Sequence, residues 1–505
     1  MRLLEKIGLV YINGNVHRLV LLEVSGTYFN VFEDITENIK LNDDIAVSGL
    51  IRAIKAKESL NVLKMFRKIC DNYEITKITS VSSNFILKSK NQKSFLEEIY
   101  NNTGFNFVIM QPEDEAKMIY SGVINSVDVP KGLIINLAPE ETNLILYNRR
   151  NIIYSKILPF GTQNLAEKVG VEPSAKDAVS KMIDYVKKEV DKIDLASHLD
   201  PETSFVGAGP IFSTVGKLAR KSTHYSLDIE NNYILENPIF EKVFDVVKDL
   251  GLDKTKKLKG ISEDSVDTLL SGLCIAKALN EALNIERLSI SGDTLREGLI
   301  YSYIAVEAND KPFSDMLGYS LENIRAFKDN KYSNTSHVYN LAVILFKQLK
   351  VIHKLSRAYV KALRIAASMY DCGKRISFDN HEKYSFNVIL NSSLNGVSHK
   401  DVLLAAFTCM CQNPDNLNLS DWVKYKDILN DEDMEAVKKM GVIIKLADQL
   451  DKSKRGNVVD VYCDILGDSV ILKTVVKGNA DFEIMEGMKL GSTFKKVFKK
   501  YLEII

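Results

Sequence analysis

The strongest constraint in this chain is a pattern that occurs twice. Residues 7–34 alternate apolar and polar positions around turn residues at Asn13-Gly14-Asn15 and Ser25-Gly26, which predicts three consecutive antiparallel strands. The segment GLIINLAPEETNLILYNRRNIIYSKILPFG (132–161) repeats the arrangement, with two strands about a short loop and then a third. The repeat is one of pattern and not of identity. A meander of this kind must cover its sheet with other elements, and helical stretches follow each copy. Residues 45–73 carry an apolar stripe of Leu50, Ile54, Leu60, Leu63, Phe66 and Ile69 at helical spacing. A strand at 77–83, a helix at 91–103, a strand at 105–110 and a helix opened by Pro112 and three acids come next. After the second meander, FVGAGPIFSTVGKLAR (205–220) and RLSISGDTLREGLIYSYI (287–304) each read as strand, turn and helix. Two similar α/β lobes with a cleft between them are therefore expected.

Beyond about residue 310 the periodicity becomes helical, in NTSHVYNLAVILFKQL, AYVKALRIAASMYDCGKRI and MGVIIKLADQLDKS. Strand-like alternation returns at VVDVYCDI and SVILKTVV, and the chain closes on a Lys-rich helix. A length of 505 residues accommodates several cores. The expected divisions are a first lobe over 1–126, a second over 127–306, a helical domain over 307–456 and a small α+β appendage over 457–505.

Composition excludes several classes. No stretch reaches the ~18 uninterrupted apolar residues of a membrane span, and the apolar N-terminus is broken by Asn13, Asn15, His17 and Arg18 without a cleavage site. A cytoplasmic protein without a membrane partner is the expectation. Lys plus Arg and Asp plus Glu both number 66, so no overall positive field gathers nucleic acid or another polyanion, and specific nucleic-acid binding is not expected. The six cysteines are scattered, and Cys409 and Cys411 lack the spacer of a metal knuckle, which fits free thiols in a reducing compartment. Basic stretches at 254–259 and Lys495–Lys500 read as solvated faces. Trp422 carries no evident role.

Particular residues sharpen this outline. Glu113-Asp114-Glu115-Ala116 followed by Tyr120-Ser121-Gly122-Val123, together with Leu295-Arg296-Glu297-Gly298, resembles the exopolyphosphatase and guanosine pentaphosphate phosphatase (Ppx/GppA) family over nearly the whole chain. The resemblance implies an actin-like, ribonuclease H-like pair of lobes, followed by an all-α HD-like domain and the small α+β segment. It implies a phosphoanhydride hydrolase acting on polyphosphate or guanosine pentaphosphate, with magnesium as cofactor and a homodimeric assembly. Asp114 or Glu115 falls where the family draws its catalytic base, though three acids after Pro112 also suit a helix N-terminus. Gly14, Asn15, Arg18 and Thr142 fall on its phosphate-binding positions.

The chain departs from that pattern where the chemistry sits. The family's opening Asp-x-Gly-Ser-Asn-Ser reads Tyr11-Ile12-Asn13-Gly14-Asn15-Val16 here. Its Asp-Ile-Gly-Gly-Gly-Ser-Thr-Glu falls on Asn136-Leu137-Ala138-Pro139-Glu140-Glu141-Thr142-Asn143. Its Ala-Thr-Ser-Ala-x-Arg arginine falls on Leu87, and its Gly-Gly-Thr turn becomes Ala208-Gly209-Pro210. Phosphoanhydride hydrolysis needs backbone N–H groups around the phosphate, a hard cation on carboxylates, and a carboxylate to orient water. Pro139 has no N–H, and a carboxylate ~4 Å from phosphate costs about 4 kcal/mol at an effective dielectric near 20. Asn136 brings a carbonyl without charge, so any cation would depend on Glu140 or Glu141. In the helical domain the resemblance implies His337, Asp371 and Asp448 as a reduced metal set, with Tyr370 where a second histidine is expected. Near His381 only the first histidine of a family run remains. The sequence thus points to a family member with impaired catalysis that binds a ligand or partner, and alternatively to an active metal-dependent phosphohydrolase.

Overall fold

The computed structural model describes residues 4–172, 175–255, 263–305, 313–328 and 334–505; of 251–255, 263–267, 305 and 328 it describes the backbone alone. Two compact units partition the chain, Met1–Ala219 with Ile234–Ser314, and Arg220–Tyr233 with Asp315–Ile505.

The first unit holds two sheets. In the first, β1 (Glu5–Ile12), β2 (Val16–Ser25), β3 (Tyr28–Asn38), β4 (Lys77–Ser82) and β5 (Phe107–Ile109) lie in the order β3-β2-β1-β4-β5. The first three pair antiparallel and the last two join parallel. In the second, β6 (Lys131–Leu137), β7 (Thr142–Asn148), β8 (Asn151–Leu158), β9 (Ser204–Ala208), β10 (Tyr233–Glu236) and β11 (Arg287–Ser291) lie in the order β10-β11-β9-β6-β7-β8. Antiparallel β6–β7 and β7–β8 pairs and parallel β6–β9 and β9–β11 pairs reproduce the first sheet, with β10 added at one edge. This duplication is the actin-like fold. Central position explains the composition of β1 and β6: both faces are covered, so Ile7–Val10 and Gly132–Leu137 are buried without alternation.

Helices cover these sheets with one departure from the expected pattern. The stretch read as one helix is two, Leu41–Ser48 and Ala53–Asn72, because Gly49 takes φ 67° and ends the first. The stripe splits accordingly. Leu60, Leu63 and Phe66 are buried, whereas Leu50 and Ile54 are exposed. Where the helices Pro112–Ile124 and Leu295–Ala305 cross, glycine is required on both. A Cβ on Gly122 would stand 2.0 Å from the Thr294 carbonyl oxygen, and one on Gly298 would stand 1.8 Å from that of Met118.

The second unit is helical, built on Thr335–Gln348, Val360–Met369, His381–Leu390, His399–Met410 and Asp431–Gln449. Capping boxes start the last two, Ser398 with Asp401 and Asn430 with Asp433. After them come β12 (Val458–Ile465), β13 (Ser469–Val476) and, beyond the Lys-rich helix Gly491–Phe498, a further short strand, β14 (Tyr501–Ile504). β14 joins β13 in parallel. The tail shares the helical core: Val458, Val461, Val470, Leu472 and Phe494 pack in one cluster with Leu341, Leu345, Phe407 and Ile443. Trp422 is a core residue, 4.8 Å from the Phe407 ring. Lys495 lies 3.7 Å over the Tyr501 ring, and Lys496 pairs with Asp415, so that basic stretch is engaged locally. The other, at 254–259, lies outside the described side chains. Among the described residues no helix is long and apolar enough to cross a membrane.

Candidate active site in the cleft of the first unit

The β1–β2 and β6–β7 loops, the start of the helix after β9 and the start of helix Leu295–Ala305 surround a cavity of about 430 Å³. Tyr11, Asn15, Arg18, Glu115, Asn136, Pro139, Pro210 and Arg296 are among its lining residues. A smaller recess adjoins it, lined by Tyr11, Gly14, Ser83, Glu115, Pro139, Glu140 and Glu141.

Both loops are closed upon themselves. In the first, Asn13 N–H donates to the Val16 carbonyl (3.0 Å), while the Asn13 side-chain oxygen accepts from Asn15 N–H and Val16 N–H, each at 2.8 Å. In the second, Ala138 N–H donates to the Glu141 carbonyl at 3.0 Å, and Pro139 has no N–H. The carbonyls of Ala138 and Pro139 accept from Thr162 N–H (3.0 Å) and Gln163 N–H (2.7 Å), and Asn164 Nδ2 donates to the Glu140 carbonyl (2.9 Å). Gly161 permits this contact, since a Cβ there would lie 2.2 Å from the Ala138 oxygen and 2.6 Å from Glu141 N. The third loop turns at Gly209, φ 94°, and its helix begins with Pro210.

The acids of the cleft are unevenly placed. Glu115 lines both cavity and recess; burial, and then the charge of Glu141, push its carboxyl up to about 7. Asp114 stands on the solvent side of the same helix, 3.3 Å from Lys117, and is not among the described lining residues. Glu141 is also raised, chiefly by burial. Glu140 forms an ion pair with Lys88, one residue beyond the Leu87 position where the family arginine was expected. Asn136 faces Asn143 across the β6–β7 pair, and Asn143 Oδ1 is buried without a partner. Thr142 Oγ1 donates to the Phe160 carbonyl at 2.9 Å, a core contact.

Positive charge is organised by Asp34, which sequence reasoning did not single out. Arg18 donates to both its oxygens, 2.7 Å each, and Arg296 Nη1 donates to Oδ2 at 2.6 Å. Arg296 also pairs with Glu297, whose other oxygen accepts from Thr294 N–H at 3.0 Å. Burial opposes the Asp34 charge, but Arg18 and then Arg296 outweigh it and hold that carboxyl below its ordinary value.

In the second unit His337, Asp371 and Asp448 do not assemble as the resemblance implied. His337 Nε2 donates to the Val458 carbonyl (2.9 Å), Asp371 meets Lys374 (3.4 Å), and Asp448 accepts from Lys454 (3.0 Å). Lys454 also donates to the Tyr370 hydroxyl at 2.9 Å, so an ammonium supplies positive charge beside Asp448. Among the described residues no three His, Cys, Asp or Glu side chains converge to hold a metal ion.

Comparison with known proteins agrees with this architecture. A family model described as the Ppx/GppA phosphatase family matches residues 19–307, and a second, Ppx/GppA phosphatase domain III, matches 324–481. The chain is 22% identical over 395 residues to the guanosine-5′-triphosphate,3′-diphosphate pyrophosphatase of Aeromonas salmonicida, covering 76% of each chain. It is 21% identical over 312 residues to exopolyphosphatase 1 of Mycobacterium bovis, covering 60% of this chain and 90% of that one. Among solved structures it is similar in fold to the Aquifex aeolicus Ppx/GppA family member, with TM-score 0.53 and 20% identity over 61% of this chain and 99% of that one. It is likewise similar to an exopolyphosphatase from Cytophaga hutchinsonii, with TM-score 0.55 and 17% identity over 60% and 98%.

Proposed function

Given that the chain belongs to the Ppx/GppA phosphatase family, we propose that it binds a phosphorylated ligand, polyphosphate or guanosine pentaphosphate in type, in the first-unit cleft, with hydrolysis slowed or lost. The state of the loop amides carries this reading. Asn13, Asn15, Val16 and Ala138 already donate within the protein, and Pro139 has nothing to donate. A transition state whose charge builds on phosphate oxygens gains most from donors already aimed at them, and these donors are engaged elsewhere. Arg18 and Arg296, oriented by Asp34, remain to attract the phosphates. The test is phosphate release from long-chain polyphosphate and guanosine pentaphosphate with magnesium or manganese, beside Glu115→Gln. Release at or little above the rate of the variant is expected; rapid metal-dependent release that disappears in the variant would refute the reading.

Glu115 favours a second reading, an active metal-dependent phosphohydrolase. A carboxyl half-protonated near neutral pH and facing the cleft is suited to take a proton from an attacking water. The unpartnered Asn143 Oδ1 and the raised Glu141 carboxyl fit a hard cation, magnesium in this reading, whereas Glu140 is engaged by Lys88. When bound, such a cation would neutralise charge on the phosphate. The same assay separates the readings. We further expect a cytoplasmic homodimer, and a monomer mass by light scattering would remove the dimer. The helical unit we take as HD-like in descent and without metal.

A further inference from the structure

We propose that the corner between the helices Leu41–Ser48 and Ala53–Asn72 docks the first unit on an anionic bilayer surface, with Val47 and Ile54 entering the interface and nearby lysines meeting the headgroups. Single exposed apolar side chains are ordinary on any protein. Here the two most exposed large apolar side chains among the described residues, Val47 at 89% and Ile54 at 82%, fall at one corner, on either side of the turn at Gly49. Leu50, between them in the chain, is exposed as well. The core does not need them, because Leu41, Ile45, Ile51 and Leu60 of the same segment fill it. Side chains this exposed project from the surface and do not line a groove. A protein partner would need pockets shaped to receive them, whereas the fluid headgroup region takes them without a complementary shape.

Charge around the corner selects an anionic surface. The chain is neutral as a whole, yet residues 43–58 and 84–93 carry Arg52, Lys55, Lys57, Lys88, Lys90 and Lys93 against only Asp43, Asp44 and Glu58. The two segments meet: Lys90 N–H donates to the Gly49 carbonyl (2.9 Å), and the Asn91 side chain accepts from Ile51 N–H (3.0 Å) and donates to the Ile51 carbonyl (2.9 Å). Arg52 pairs with Asp44, Lys55 with Glu58 and Lys88 with Glu140. Lys57, Lys90 and Lys93 are exposed and form no ion pair among the described residues. Each lysine near an anionic leaflet strengthens binding about fivefold, so three contribute on the order of a hundredfold. Apolar insertion alone attaches a protein only marginally, and stable attachment takes a second signal such as this basic one. Arg52 N–H and Nε already hold Asp44, at 3.0 and 2.7 Å, so the corner is formed before it binds and no ordering cost is added. The expectation of no membrane partner concerned spanning segments and overall charge, and a surface contact needs neither.

Co-sedimentation of the full chain with phosphatidylcholine vesicles, and with vesicles that also contain phosphatidylglycerol, tests this. At about 0.1 M salt the anionic vesicles should bind the chain at least about tenfold tighter than the neutral ones, and that binding should weaken about tenfold as salt rises to about 0.5 M. Val47→Ser combined with Ile54→Ser should weaken binding to anionic vesicles about tenfold and leave its salt dependence in place. Lys57→Gln combined with Lys90→Gln and Lys93→Gln should remove the preference for anionic over neutral vesicles. Every altered side chain is exposed, so both variants should keep the parent's urea transition. Equal binding of the parent to both kinds of vesicle, or undiminished anionic binding in either folded variant, would overturn the proposal. No binding to anionic vesicles would overturn it too, and would leave an acidic protein surface as the occupant of the corner.

Discussion

Glu115 should weaken the first unit at neutral and alkaline pH, and Glu115→Gln should relieve it. Its carboxyl is raised from 4.5 to about 7 by burial and by Glu141. The folded chain therefore keeps a proton that the unfolded chain releases between those values. With the native state binding more protons, stability falls as pH rises from 4.5 to about 7 and is then level. At roughly 1.4 kcal/mol per tenfold the full effect is about 3 kcal/mol, and the partial exposure of Glu115 to the cleft reduces it to about 2 kcal/mol. Glutamine keeps the shape without the charge, so the variant should be about 2 kcal/mol more stable than the parent at pH 8 and indistinguishable from it at pH 4.5. Urea unfolding followed by circular dichroism reads the whole chain. Trp422 fluorescence reads the second unit alone, because the chain has one tryptophan and it lies in that unit's core. A gain by circular dichroism with an unmoved fluorescence transition is the expected pair. Equal stability of parent and variant at pH 8, or the same gain at both pH values, would show that burial and Glu141 do not strain Glu115.

Burial lowers His17 to about 4, with its Nε2 2.6 Å from Ser59 Oγ, so its contribution is complete above pH 6.5 and lost as pH falls towards 4; His17→Gln should flatten that part of the first unit's acid unfolding profile. Gly122→Ala should destabilise the first unit by about 3 kcal/mol or more in urea unfolding, since the new Cβ meets backbone and not a side chain that can turn aside. Lys454→Met leaves Asp448 without its nearest cation, and a loss of about 2 kcal/mol in the Trp422 fluorescence transition is expected; an unchanged transition would mean that Lys445 and Lys374 compensate.

The first meander was legible because its turns carry Asn, Gly and Ser, and the second because it repeats the strand-loop-strand order around Ala138-Pro139-Glu140-Glu141. β14 was not, since four residues after a lysine run are too few to establish a period and its pairing with β13 is a long-range choice. Gly49 stops a helix whose apolar spacing continues past it, and only the exposure of Leu50 and Ile54 reveals the break. At the candidate site, the acid run after Pro112 located the helix but not the member that faces the cleft. The signal was present: Glu115 lies one turn before Ile119 and shares its face, whereas Asp114 shares a face with Lys117. Asp34 was beyond reach. It meets Arg18 through the β2–β3 register, where Arg18 pairs with Thr36, and it meets Arg296 from 262 residues away. No local pattern encodes such a meeting.

The crossing at Gly122 and Gly298 restricts how the first unit's lobes can move. At these two glycines backbone lies against backbone, and translation along either axis would drive the carbonyls of one helix into the backbone of the other. Rotation about the point of contact keeps the axes at the same separation. The mouth of the cleft is therefore expected to widen and narrow like the blades of a pair of shears, with the rivet at these two glycines and the largest excursion at the loops farthest from it.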